Sequence, residues 1–313
     1  MTFINADKIA IAKQLKSAHF DLPRGEALRS AFQRCFEERY LSQEIEGLEA
    51  RGLVITGESR VGKSRELKRL ISEFNSSQTK MPDGRPAKIV SCLLSGRVSF
   101  KDLGIKTLHA LGYELKRNQT QQYIWDLVLH QAEGQGVIGI HYDECQHVFS
   151  KGAKSNRLFL DSFKSMMKEP RWPMMLILSG VPTLSKYVGS YEQLNKLVDP
   201  VHFPDINLRQ DEKQLVSLLF AYADQVEIEI EALITDGFLE RLLYACVNRW
   251  GLVIELLIDT LIEAKLRGKA SLSKRDFVEQ FALRTGTSPK YSPFTVSDFE
   301  KAFNPQKLLE INA

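Results

Sequence analysis

The sequence predicts an α/β protein: a parallel sheet covered by helices on both faces, with helices before it and a small helical domain after it. Three observations carry this. Between positions 52 and 204, continuous apolar runs alternate with helix-like runs, the pattern of strands buried on both faces. A glycine-rich phosphate-loop pattern stands between one apolar run and a helix-like run. From Asp211 onward the strand-like runs fade and helical periodicity takes over.

The elements follow in order. Residues 1–50 read as helical: Ile9 and Leu15, then Ala27, Leu28, Ala31, Phe32, Cys35 and Phe36, recur at helical spacing, with Pro23 and Gly25 separating two pieces. Leu53-Val54-Ile55-Thr56 is the first strand, and residues 65–74 form the helix after it. Residues 76–87, rich in Ser, Gln, Pro and Gly, predict a solvated loop. Further strands are expected at 88–93, 136–142, 173–179 and, as a short fifth, 201–203. Helices are expected at 211–224, 232–248, 250–267 and 273–283, the last with Ser273 as N-cap. Residues 285–313 begin Thr-Gly-Thr-Ser-Pro-Lys-Tyr-Ser-Pro and end polar, which predicts a linker and a loosely held tail. The expected organisation is a helical segment at 1–50, an α/β core at 51–208, a helical domain at 209–284 and the tail at 285–313.

Bulk composition narrows the class. A chain of 313 residues with 43% hydrophobic content can bury a substantial core. The net charge of +3 confines any nucleic-acid surface to a local track. Cys35, Cys92, Cys145 and Cys246 are widely spaced with no C-x-x-C, which favours a reduced, cytoplasmic protein over a disulfide scaffold. The N-terminus lacks a signal-peptide pattern, and no apolar run has membrane-spanning length.

The chemistry centres on Gly57-Glu58-Ser59-Arg60-Val61-Gly62-Lys63-Ser64, followed by Arg65, which fits G-x-x-x-x-G-K-[ST]. Backbone N–H groups and the positive helix end cradle phosphates in such a loop. Lys63 is expected on the β/γ-phosphates and the Ser64 hydroxyl on Mg²⁺, which makes ATP and Mg²⁺ the expected ligands. Asp143-Glu144 follow directly on the third strand, where open α/β sheets bind ligands. Asp143 is expected to hold the Mg²⁺ shell and Glu144 to polarise the attacking water. Cys145 and His147 beside them fit no common zinc spacing. Ser179, ending the fourth strand, is placed either to sense a γ-phosphate through its hydroxyl or simply to cap the strand end.

Taken together, the phosphate loop, the run Ile140-His141-Tyr142-Asp143-Glu144-Cys145-Gln146-His147 and the run Leu176-Ile177-Leu178-Ser179-Gly180-Val181-Pro182 resemble the TniB/TnsC family of AAA+ ATPases, regulators of DNA transposition. The family's D-E-x-Q-H is matched by Asp143, Glu144, Gln146 and His147, and its Gly-Val-Pro segment by Gly180-Val181-Pro182-Thr183. The lead-in His19-Phe20-Asp21-Leu22-Pro23 also has the family's look, and the likeness covers roughly 19–265. The resemblance implies a RecA-like AAA+ core with a helical lid. It implies ATP-dependent assembly on double-stranded DNA as a ring or helical filament, and recruitment or activation of a transposase, with a target-selection protein as a further partner. Two positions depart from the family pattern. Lys196 and Leu197 stand where arginines are usual, which makes Lys196 the candidate trans-acting cation, and Glu255 stands where a lid arginine is expected after Gly251. Slow turnover without a partner is the expectation. The implied DNA track consists of Arg97 and Lys101 after the second strand and of Lys151, Lys154 and Arg157 after the acidic pair. The competing readings are an AAA+ switch in secretion, defence or signalling that never touches DNA, and a P-loop kinase of a small molecule.

Overall fold

The computed structural model of the chain describes residues 4–45, 47–149 and 153–304, with 307 and 310 beyond them; at 153–155 and 236 the backbone alone is described. The chain divides into two compact units. One is Pro23–Phe203, and the other joins Met1–Leu22 to Pro204–Ala313. The expected segment 1–50 is therefore split between the two, and each unit is described separately.

The first helix of the chain, α1 (Ala6–Ser17), belongs to the helical unit. The core unit runs α2 (Pro23–Leu41), β1 (Gly52–Gly57), α3 (Lys63–Ser76), β2 (Lys88–Leu93), α4 (Phe100–Ala110), α5 (Gln121–Gln135), β3 (Val137–Asp143), α6 (Ala153–Met167), β4 (Met175–Gly180), α7 (Thr183–Gly189), α8 (Glu192–Asn195) and β5 (Val198–Phe203). The strands form one sheet in the order β2-β3-β4-β1-β5, every neighbouring pair parallel. Each crossover therefore carries helices on the faces, as parallel pairing requires.

Alternation along the strands sorts side chains between the two faces. Leu53, Ile55, Met175, Ile177, Val201 and Phe203 pack with Leu28, Phe32 and Cys35 of α2 and with Leu67, Leu70 and Ile71 of α3. Val54, Ile138, Ile140, Tyr142, Leu176 and Leu178 pack on the other side with Leu103 and Leu108 of α4, Ile124 and Val128 of α5 and Phe163 of α6. The fifth strand begins at Val198, three residues earlier than the apolar run indicates, and carries Pro200 opposite Val54. A proline is tolerated there because β5 is an edge strand.

The helical unit continues with α9 (Leu208–Asp224), α10 (Asp236–Ala245), α11 (Trp250–Leu266), α12 (Lys274–Thr285) and α13 (Phe299–Ala302). Leu15 of α1 is buried in the same core as Leu218, Leu242 and Leu257. Lys8 pairs with Glu263 of α11 at 2.6 Å, and Phe20 meets Tyr222 edge-on at 4.6 Å. Among the described residues, no helix is long and apolar enough to cross a membrane.

Of the segment for which the composition predicted a loose tail, residues 286–303 are packed. Phe294 is fully buried against Phe238, Phe277 and Phe281, and Phe303 joins the same core. Arg241 Nη1 donates to the carbonyls of Pro293 and Val296, both at 2.6 Å. A few well-placed aromatics, rather than mean polarity, decide whether such a segment is held. Phe294→Ala is expected to destabilise this unit by about 3–5 kcal/mol. Thermal or denaturant unfolding measures it, and a midpoint equal to the wild type's would show that the segment is loosely held.

Candidate nucleotide site

In a parallel sheet all strands end at one edge, and here three of them bring the site together. β1 ends in the phosphate loop, β3 in Asp143, and β4 lies between them and ends in Ser179-Gly180. The register places Thr56 opposite Gly180 and Tyr142 opposite Leu178, so these ends are level.

The loop has an unusual backbone. Gly62 adopts φ +103° and Arg60 φ +66°, so the chain turns sharply before α3 begins at Lys63. Only glycine takes the first of these angles without strain. The loop is also backed by the first turn of α2. A Cβ on Gly62 would lie 3.1 Å from Arg24 Nη2, and the Arg24 guanidinium stands 5.6 Å over the Phe203 ring. The sequence reading missed Arg24; the Pro23-Arg24 helix start was its only signal. Lys63 is buried, and its Nζ donates to the carbonyls of Gly57 at 2.7 Å and Glu58 at 2.9 Å. The ammonium thus sits over the mouth of its own loop. Ser64 and Arg65 are exposed on the first turn of the helix, and Val61 is buried beneath it. Glu58 and Ser59 are exposed on the loop's outer side.

Asp143 and Glu144 differ in setting. Asp143 Oδ1 accepts from the Glu144 backbone N–H at 3.0 Å and from the Ser179 hydroxyl at 2.6 Å. Glu144 sits in the left-handed region, φ 56°, a backbone cost that a non-glycine residue tolerates only where the surroundings enforce it. Its carboxylate accepts from Gln146 Nε2. Gln146 Oε1 in turn accepts from the Val181 N–H at 3.2 Å. Gln146 therefore ties the acidic pair to the start of the Val181-Pro182-Thr183 turn. Its two ends are assigned without ambiguity, since a carboxylate can only accept and an N–H can only donate. Room for this bridge comes from Gly180, where a Cβ would fall 2.2 Å from Gln146 Oε1.

His141 lies two residues before Asp143 on the same side of β3. Its Nε2 is 2.8 Å from Ser179 Oγ and its Nδ1 3.2 Å from Ser91 Oγ. Burial pulls its pKa down to about 4, against a smaller upward pull from Asp143. The imidazole is therefore neutral at physiological pH. Cys145 is fully buried and its thiol is pushed well above the ordinary range by desolvation first and the Asp143 charge second. It packs as a neutral thiol, while His147 is exposed in the 3-10 turn Cys145–Val148.

The residues present fit a nucleotide with Mg²⁺. The tight glycine-bearing loop before a helix N-terminus suits phosphate oxygens. A single serine hydroxyl and a single carboxylate are the protein share that Mg²⁺ takes when phosphate and water complete its octahedron.

A family model described as an AAA domain matches residues 47–188. No curated protein matches the chain. Among solved structures, it is similar to the ORC1 protein of Aeropyrum pernix in complex with DNA, at 14% identity and a TM-score of 0.61, covering 88% of this chain and 69% of that one. It is likewise similar to Cdc6p from Pyrobaculum aerophilum, at 13% identity and TM-score 0.59, with 86% and 69% covered. The ORC2 protein of Aeropyrum pernix, in ADPNP–ADP complexes, gives 14% and 0.60, with 86% and 71% covered. The chain has the AAA+ P-loop ATPase fold.

None of the contacts described above involves the remaining expected residues. Lys196 caps α8, is exposed and pairs with Glu192 at 2.6 Å. Arg97 is exposed in the loop after β2. Lys101 lies in the first turn of α4, its Nζ donating to Asn118 Oδ1 at 2.6 Å. Arg157 on α6 stands 5.9 Å over the Tyr191 ring. Lys151 and the side chain of Lys154 lie outside the described residues. In the helical unit, Glu255 pairs with Arg284.

If Gln146 acts as one bridge, Gly180→Ala and Gln146→Ala break the same pair of hydrogen bonds. Each is expected to cost about 0.5–1.5 kcal/mol per broken bond, and the double variant no more than the worse single one. A denaturation cycle reads this directly; additive losses would separate the two positions.

Proposed function

We propose that this chain is an ATP-hydrolysing regulator of DNA transposition of the TniB/TnsC kind. In this reading it binds Mg²⁺–ATP, assembles on double-stranded DNA as a homo-oligomeric ring or helical filament in the cytoplasm, and recruits or activates a transposase. The observation that carries the reading is the Gln146 bridge. The two stretches on which the family likeness rests, Asp143-Glu144-x-Gln146-His147 and Gly180-Val181-Pro182-Thr183, are joined to each other through that one side chain. A motif pair that is physically one device is a stronger resemblance than two separate matches. The fold shared with a protein solved in complex with DNA supports the DNA part of the reading.

The chain's own groups divide the work. Lys63 leaves the loop carbonyls for the β/γ-phosphates, and backbone N–H groups of the loop hold the phosphate oxygens. Bound Mg²⁺, held by Ser64 and Asp143, would neutralise phosphate charge. Glu144 accepts the proton of the attacking water once Gln146 yields its carboxylate. Lys196, exposed and already paired with Glu192, is a point charge without the planar fork of arginine, which is consistent with slow unaided turnover and stimulation by a partner.

Lys63→Ala is expected to abolish nucleotide binding, and Glu144→Gln to keep ATP bound while hydrolysis stops and DNA complexes persist. Equilibrium binding and phosphate release measure these; retained affinity in the first or normal turnover in the second removes the assignment.

For DNA, fluorescence anisotropy with a duplex and a non-hydrolysable ATP analogue is the test. Arg97→Glu with Lys101→Glu is expected to weaken ATP-dependent binding and to flatten its log–log salt dependence by about 0.9 for each phosphate that is no longer neutralised. ATP affinity stays intact. Absence of DNA affinity in the wild type would leave an AAA+ switch of another process.

A further inference from the structure

We propose that Ser91, His141 and Ser179 form a proton-ordered hydrogen-bond relay that fixes the Asp143 carboxylate, making His141 a positioning residue for the divalent cation at that carboxylate. The proposal rests on the Mg²⁺–nucleotide reading of the site.

The order of protons follows from chemistry at one end. A carboxylate only accepts, so the 2.6 Å contact between Ser179 Oγ and Asp143 Oδ1 uses the serine's single hydrogen. Ser179 Oγ must then accept in its 2.8 Å contact with His141 Nε2. The ring proton is therefore on Nε2, and Nδ1 is the acceptor. The Ser91 hydroxyl, 3.2 Å from Nδ1, donates to it. Every hydrogen in the row points toward Asp143. The opposite order would set lone pairs of Ser179 and Asp143 against each other at 2.6 Å.

The row crosses three strands. It starts at an exposed serine on the edge strand β2, passes through two buried side chains on β3 and β4, and ends at the carboxylate. The part of the sheet face beside it is apolar, with Leu53, Ile55, Met175 and Ile177. A valine or isoleucine at 141 would fill that space without the cost of burying an imidazole, so packing does not account for the histidine. Its effect is directional. Oδ1 receives both Ser179 and the Glu144 N–H, which leaves Oδ2 as the oxygen for a cation. Ser179 is assigned accordingly: its hydrogen is spent on the cation's carboxylate, and it does not read a γ-phosphate directly. Ligand carboxylates in metal sites are held by such outer hydrogen bonds, and removing one typically costs about 10–100-fold in metal affinity.

The test uses the full chain with a non-hydrolysable ATP analogue and Mn²⁺ as the cation, its binding followed by electron paramagnetic resonance. His141→Leu is expected to weaken Mn²⁺ binding by about 10–100-fold. His141→Gln, whose amide N–H can stand near the position of Nε2–H, recovers most of that loss. Ser91→Ala, at the exposed end, produces a smaller loss. Nucleotide affinity measured in chelator stays at the wild-type value throughout, which also reports an intact fold. Mn²⁺ affinity unchanged in His141→Leu, or His141→Gln no better than His141→Leu, overturns the relay while leaving the site in place. A wild-type chain that takes up nucleotide but no Mn²⁺ overturns the relay with the cation assignment, and one that takes up neither overturns the nucleotide reading itself.

Discussion

All five strands of the core point the same way, and the rest of the molecule depends on that constraint. Strands buried on both faces can present polar chemistry only at their ends. Because the ends that matter lie on one edge, the loop after β1 and the acidic pair after β3 are neighbours in space although about eighty residues apart in sequence. β4, inserted between them, and the residue after it add two links: Ser179 to one carboxylate, Val181 N–H to the amide that holds the other.

The site is also poised electrically. A buried ammonium is costly unless it is hydrogen-bonded, and Lys63 is satisfied by carbonyls of the loop it belongs to. Glu144 is engaged in the same way by Gln146. Both charged groups are thus parked on local partners, and a ligand that took those partners' places would do so by exchange of hydrogen bonds. Such exchange preserves the number of bonds, so it is far cheaper than creating charge afresh in a dry pocket.

Much of this was legible in the sequence, for identifiable reasons. β1 and α3 are bracketed by a loop whose glycines and lysine have fixed geometric meaning, and β2, β3 and β4 are unbroken apolar runs. Other features were hidden because their cause is not local. Pro200 reads as a strand breaker unless one knows that β5 is at the edge. The segment around Phe294 has the composition of a linker, and only the partner rings Phe238, Phe277 and Phe281 make it part of a core. α1 and α2 look alike in periodicity, and nothing in either says that they belong to different units. At the site, Asp143, Glu144 and the loop announce themselves. Gln146 stands out only as part of the D-E-x-Q-H likeness, which does not show what it bridges, and His141 does not stand out at all, since a histidine within an apolar run acquires meaning only from what stands opposite it. His141 was nevertheless the one polar intrusion between Ile140 and Tyr142, and that mismatch was the available signal.

The proline in β5 has a consequence for how copies of this chain can meet. An exposed edge strand is a template on which a second sheet can grow, and proteins suppress this with prolines and charges. β5 carries Pro200 in its middle and Asp199 beside it, the latter paired with Arg51 at 2.7 Å. A neighbouring subunit cannot zip a full-length strand onto that border. Contact between copies across that border must therefore rest on side-chain surfaces that can let go and re-form, rather than on one sheet running continuously through β5.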